Sequence, residues 1–240
     1  MTEKSRTVIE VKDLNKTYFM DGGMSQHVLK DVSFKINAGE MVAIMGHSGS
    51  GKSTLMNILG CLDKQTSGIY KLDGMSLADK NDTEMAKIRG QKIGFVFQNF
   101  NLLMKRTIAD NVSLPLIYQN VGEKERYERA TALLQKVGLS GYENRFPPQI
   151  SGGMQQRVAI ARSIVNNPSI LFADEPTGNL DTKTSIEIMD LFTALNHQGI
   201  TVVLVTHEDD IADYAKRLIK ITDGRVEFDG LRSEYKRRNK

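Results

Sequence analysis

Apolar and polar positions alternate in "VSFKI", where Val32, Phe34 and Ile36 are set against Ser33 and Lys35, and this strand periodicity predicts a half-buried β-strand. "VIEVKDL" is a candidate partner for it, so the chain is expected to open with a small β layer. "MVAIMG" is a short apolar run closed by glycine, and beyond it Leu55, Ile58, Leu59 and Leu62 recur at helical spacing. Another strand is predicted in "KIGFVFQ", with Ile93, Phe95 and Phe97 alternating. From about residue 99 to residue 163 the pattern changes, and Tyr127, Ala130, Leu133, Leu134 and Val137 mark one face of a long helix. No strand of similar quality interrupts that segment. Strand and helix patterns then resume with "SILFADEP", a helix over "TSIEIMDLFTALNHQG" closing near Gly199, and "TVVLVTH". "IKITDGRVEF" predicts a hairpin turning at Asp223 and Gly224. The alternation implies an α/β fold with a largely parallel sheet. A single domain is expected: residues 7–98 and 164–230 form the core and β layer, residues 99–163 a helical insertion, and residues 231–240 a tail.

Composition narrows the function classes. The 240 residues are 40% hydrophobic and 25% charged, which suits a globular protein rather than a disordered one. A net charge of +3 is too small an excess to imply nucleic-acid binding, and no nucleic-acid partner is expected. Only the final stretch "EYKRRNK" is clearly basic; it reads as a solvated tail, with attraction to an anionic membrane surface as the alternative. Cys61 is the single cysteine, and "MTEKSRTVIE" lacks the apolar core of a signal peptide, so a cytoplasmic protein is predicted. The apolar runs are far shorter than the roughly twenty residues of a spanning helix. Any membrane role must therefore run through another chain.

The chemistry is concentrated in a few motifs. "GHSGSGKST", residues 46–54, has the spacing of a phosphate-binding loop, and it follows a predicted strand and opens a predicted helix. Gly46, Gly49 and Gly51 let backbone amides turn toward phosphate oxygens, Lys52 adds a point charge by the β- and γ-phosphates, and Ser53 can ligate magnesium. His47, Ser48, Ser50 and Thr54 complete the candidate nucleoside-triphosphate-binding set, although His47 fills a variable position and is given no chemistry of its own. In "ILFADE" an apolar strand delivers Asp174 and Glu175 to the C-terminal edge of the sheet, where ligands bind in open α/β folds. Asp174 suits a magnesium shell and Glu175 an attacking water. Gln98 and His207 also end predicted strands. Gln98 could reach magnesium or the water, and His207 could contact the γ-phosphate or orient the water. Tyr18 could stack on a base or belong to the core.

Taken together, these residues resemble the ATP-binding subunit of an ATP-binding cassette (ABC) transporter, over about residues 7–230. The phosphate loop, the glutamine of "FVFQNF", the signature "ISGGMQQR", the run "ILFADE", the "GNLD" loop and the histidine of "VTH" occur in the family's order. The resemblance implies a P-loop NTPase fold with a RecA-like core, an antiparallel β subdomain and a helical subdomain. It implies ATP and magnesium as cofactors, a homodimer closing around two ATP molecules, and a membrane permease on a separate chain at the cytoplasmic face. Tyr18 would stack on adenine, Gln98 would link the nucleotide to the permease, Glu175 would be the general base, His207 the switch, and Asp181 would face the second subunit. Ile150 and Met154 depart from the family's usual leucine and polar residue in the signature. "IGCLDKQTSG", "NVSLPLIY" and "DEPTGNLD" resemble the subgroup of macrolide-export, lipoprotein-release and antimicrobial-peptide-resistance ATPases, whereas "GHSG" and "LLMKRTIADNV" resemble the cell-division ATPase that pairs with a permease-like partner. A soluble cassette acting on ribosomes and a nucleotide-binding regulator are the competing readings.

"ISGGMQQR" poses a further question, because Ser151, Gly152 and Gly153 precede a helix and form a second anion cradle about a hundred residues after the first. The resemblance implies that the two cradles grip one ATP from opposite subunits.

Overall fold

The computed structural model describes residues 6–20 and 22–238, so the first five residues considered for a signal peptide and the last two of the basic tail lie outside the described residues. Strands β1 (Thr7–Phe19) and β2 (Ser25–Asn37) open the chain and pair antiparallel. β3 (Met41–Met45) leads through the glycine-rich loop into α1 (Lys52–Leu59), followed by β4 (Ser67–Leu72), the short β5 (Met75–Ser76), α2 (Asp82–Lys92) and β6 (Ile93–Phe97). The middle of the chain is helical: α3 (Ile108–Ile117), α4 (Glu123–Lys136) and α5 (Gly152–Ile164). Then come β7 (Ile170–Asp174), α6 (Thr182–His197), β8 (Thr201–Thr206), α7 (Asp209–Ala212), β9 (Arg217–Thr222), β10 (Arg225–Leu231) and α8 (Arg232–Arg238).

Two sheets result. The antiparallel one runs β2-β1-β4-β5, and the larger runs β10-β9-β3-β8-β7-β6 with only β10 antiparallel to its neighbour. β3 and β8 are buried along their whole length, as are the first four residues of β7, which is why they read as continuous apolar runs rather than alternating ones. Their side chains still alternate between faces. Val42, Ile44, Phe172 and Val205 join a core shared with α1 and the antiparallel sheet, while Ala43, Met45, Ala173 and Leu204 pack against α6 and α7. α5 is shared between layers: Ile160 and Ile164 face the large sheet, whereas Val158, Ala161 and Val165 join the core of α3 and α4.

Several expectations change. α1 stops at Leu59, because Gly60 and the left-handed Cys61 (φ 57°) turn the chain, and the Leu62 amide donates back to the Asn57 carbonyl at 2.8 Å. Leu62 is consequently 48% exposed rather than part of the helix face. Tyr127 is likewise exposed, so the buried stripe of its helix narrows to Ala130, Leu134 and Val137. The basic tail is not simply solvated. α8 is docked by the buried Arg232, which pairs with Asp209 and Asp213, and by Lys236, which also pairs with Asp213. At the predicted hairpin, Asp223 and Gly224 both take positive φ (48° and 79°), the geometry of a tight twist-matched turn. Among the described residues no helix is long and apolar enough to cross a membrane.

Candidate functional site

The register of the large sheet explains why residues distant in sequence meet. Met45 pairs with Thr206, Val205 with Asp174, and Asp174 with Phe97, so four neighbouring strands end almost level. The next residues along each strand are Gly46, His207, Glu175 and Gln98. One sheet edge therefore carries the phosphate loop, the histidine, the acidic pair and the glutamine in a row, as the sequence predicts.

At the first cradle, α1 starts on Gly51 (φ 104°), and no side chain caps it, which leaves its first amides turned into the loop. A Cβ at Gly46 would collide with the Ile221 carbonyl and with Ser50 Oγ, so the loop packs directly on β9. Lys52 Nζ donates to the carbonyls of Gly46 (2.7 Å) and His47 (2.9 Å), crossing the loop mouth. Burial pulls the Lys52 pKa below its ordinary value, with Glu175 and Asp174 acting in the opposite sense. Ser53 is exposed at the mouth, whereas the Ser50 side chain is buried beneath the loop and can contribute only through its backbone. The exposed His47 ring turns outward, its Nδ1 donating to the Ser48 carbonyl at 2.7 Å and its Nε2 lying 3.6 Å from Asp223.

Glu175 takes a left-handed backbone (φ 43°), a conformation that costs a non-glycine residue about 1–3 kcal/mol and persists where surroundings impose it. Here its amide donates to the Val205 carbonyl at 2.8 Å and its own carbonyl accepts from Gly178 at 3.1 Å. The strained turn aims the carboxylate at His207, whose Nδ1 donates to Glu175 Oε1 at 2.7 Å. One carboxylate oxygen is thus held and the other remains available for a water. Asp174 is less comfortable: burial first, and then the Glu175 charge, raise its pKa, against an opposing pull from Lys52. Since its folded pKa stands above the unfolded one, ionising Asp174 works against folding; the cost is absent below the unfolded value and complete above the folded one. Asp174→Asn is therefore expected to raise the thermal midpoint at neutral pH, by about 2–4 °C for each kcal/mol recovered. That gain should shrink as the pH falls through the carboxylate range, and a lowered midpoint at neutral pH in a thermal melt would contradict it.

Serine, carboxylate and amide oxygens from Ser53, Asp174 and Gln98 suit a hard cation that shares its shell with phosphate and water, as magnesium does. Gln98 packs so closely on the turn after Glu175 that a Cβ at Gly178 would lie 2.6 Å from its Nε2. Tyr18 is placed beside α1: its hydroxyl donates to Asp63 at 2.7 Å and also interacts with Thr54, and the Lys16 ammonium lies 4.6 Å from the ring centre. Burial and Asp63 raise the phenol's pKa.

The second cradle lies elsewhere. Ser151 caps α5 by accepting from the Met154 amide at 3.3 Å, and the atoms nearest to Gly152 and Gly153 belong to Phe100, Leu180 and Thr184. A Cβ at Gly153 would collide with the Thr184 methyl. Met154 is partly buried against the helical core, as is Phe100, which accounts for an apolar residue at that position. Asp181 caps α6 with both carboxylate oxygens on Thr184 (3.0 and 2.6 Å), a structural task not visible in the sequence pattern. Three further residues escape sequence reasoning. Buried Gln156 donates to the Pro176 carbonyl (2.5 Å), Asn179 donates to Gln98 O (3.0 Å) and Asn99 Oδ1 (2.9 Å), and Arg162 donates to the Phe100 and Asn101 carbonyls. Their only signal is a polar residue interrupting the apolar stripe of α5 or an asparagine in the "GNLD" turn.

A glycine-rich loop between a central parallel strand and a helix, with an acidic pair ending a strand of the same sheet, defines a P-loop nucleoside triphosphatase. The family model for the ABC transporter matches residues 29–178. Over 91% of this chain and 95% of its own length, the uncharacterized ABC transporter ATP-binding protein YknY of Bacillus subtilis is 52% identical. The macrolide export ATP-binding/permease protein MacB of Syntrophobacter fumaroxidans is 51% identical over 92% of this chain, which spans 31% of that protein. Among solved structures, the dimeric ATP-binding cassette MJ0796 in a post-hydrolysis state with ADP and phosphate superposes with a TM-score of 0.84 at 47% identity, covering 93% of this chain and 98% of that one. The chain belongs to the ABC transporter family and is one of its ATP-binding cassettes, an ATPase.

Proposed function

We propose that the chain is the energy-supplying subunit of a transporter-like assembly at the cytoplasmic face of a membrane, closing as a homodimer around two ATP molecules and driving a permease on a separate chain. The single observation that carries this reading is the row of Gly46, His207, Glu175 and Gln98 at one sheet edge, with the Ser151 turn on a different layer. In the proposed mechanism Lys52 and the amides of residues 46–54 hold the β- and γ-phosphates, and Tyr18, fixed by Asp63, Thr54 and Lys16, receives the base. Ser53, Asp174 and Gln98 would hold magnesium, which neutralises charge on the phosphate oxygens. Glu175 takes a proton from the attacking water while His207 keeps the carboxylate in place. Ser151, Gly152 and Gly153 meet the γ-phosphate of ATP bound to the other copy, and Asp181 stands at the same junction. Export or release of a substrate through a permease is favoured by the likeness to proteins named for macrolide export.

The ATPase part is tested by phosphate release from ATP with magnesium. Lys52→Ala is expected to lower turnover on the order of 10²-fold, comparable to removing a donor that stabilises transition-state charge, and undiminished turnover would contradict the assignment. The partner is tested by purification from detergent-solubilised membranes. An integral membrane permease should accompany the chain; recovery with ribosomes instead would favour the soluble reading.

A further inference from the structure

Phe100 and Asn101, just beyond Gln98, both take left-handed backbone conformations (φ 59° and 50°). Two such residues in succession, neither of them glycine, persist only where neighbouring groups hold them. The group that holds them is Arg162, whose Nη1 donates to the Asn101 carbonyl and whose Nη2 donates to the Phe100 carbonyl, each at 2.7 Å. Among the described residues no carboxylate pairs with Arg162. Its guanidinium is spent wholly on loop backbone, with two separate nitrogens of one planar fork each donating to one of two adjacent carbonyls, whereas an ammonium offers all its donors from a single atom. The two residues before Phe100, Gln98 and Asn99, are held by Asn179, from the turn that follows Glu175.

Arg162 belongs to α5, the helix that begins at the Ser151 cradle and belongs to both the sheet core and the helical core. Eleven residue steps along the helix separate Ser151 from Arg162, about 16 Å at the usual rise. From this placement we infer that Arg162 is a positioning residue for ATP hydrolysis: it latches the segment that carries Gln98 to the helix that carries Ser151, so that engagement of nucleotide at the Ser151 end of α5 sets the glutamine. Asn179 ties the same segment to the acidic turn, which leaves Gln98 held between the catalytic sheet and the helical layer. The inference rests on the ATPase reading of the site.

The test compares Arg162→Lys with the unmodified full chain. Five quantities are measured: thermal midpoint, binding of a fluorescent ATP analogue, kcat and KM with magnesium, and amide hydrogen exchange over residues 98–103. Arg162→Lys keeps the charge but not the fork, so it should fold and bind the analogue with affinity unchanged within about twofold, because the phosphate loop is untouched. Its kcat should fall by about tenfold or more with little change in KM, and exchange in the segment should rise. Faster exchange with unchanged kcat would overturn the inference, as would a fall in kcat with unchanged exchange. If Arg162→Lys does not fold, Arg162→Gln, which retains one planar donor group, carries the same readouts and criteria. Should the unmodified chain itself fail to hydrolyse ATP, the ATPase reading fails, which is a separate outcome from failure of the latch.

Discussion

Glu175→Gln is expected to lower ATP turnover by on the order of 10²–10⁴-fold, the usual contribution of a positioned general base, while leaving ATP binding intact. An amide has the shape of the carboxylate but cannot take a proton from water. Its oxygen can still accept from His207 Nδ1, now 2.7 Å from Glu175 Oε1, so the turn should keep its geometry. Neutralising Glu175 also removes a negative charge beside Asp174, whose pKa that charge raises, and so reduces repulsion toward the ATP phosphates. Binding is therefore retained while hydrolysis is blocked, and an ATP-bound dimer should accumulate. Light scattering after gel filtration with saturating ATP and magnesium checks this, and a species of monomer mass would count against it.

The sequence displays the site more fully than the scaffold around it. The phosphate loop, the acidic pair, Gln98 and His207 are legible because each ends an apolar strand, and a parallel sheet brings the ends of such strands to one edge. The register that levels Met45, Thr206, Asp174 and Phe97 cannot be read from periodicity, since strand order is a tertiary property. The segment from Ser67 to Lys92 is not legible in the sequence for a different reason. In β4 only Tyr70 and Leu72 are buried, and in α2 only Met85 is, so neither shows a usable apolar stripe. The local signs are the capping box of Asn81 with Glu84 and the Asp73-Gly74 pair that turns β4 into β5 with positive φ at both residues (51° and 80°). Spacing alone places Leu62 on a helix, because it does not register the left-handed turn at Cys61. Arg162, Gln156 and Asn179 act on backbone carbonyls, and a polar residue in an apolar stripe or turn does not say which carbonyl it will reach. Met154 is the converse case, an odd residue in a motif that becomes ordinary once its packing against the helical core is seen.

In the proposed assembly each ATP site is built from two chains, Lys52 of one and Ser151 of the other. Ser151→Arg should eliminate the second cradle by filling it with a long side chain. It also removes the α5 cap, at a cost of about 1 kcal/mol, which the fold should tolerate. Lys52→Ala alone and Ser151→Arg alone should each form dimers with two damaged sites. Mixing them changes the arithmetic: a mixed dimer pairs the two lesions in one site and leaves the other site intact. The most direct measurement is phosphate release from an equal mixture of Lys52→Ala and Ser151→Arg chains, unfolded together and refolded or co-expressed, and compared with each variant alone. A two-chain site predicts recovery to roughly a quarter of the unmodified rate, because half the dimers are mixed and each has one working site of two. Activity no greater than the average of the two separate variants would contradict it.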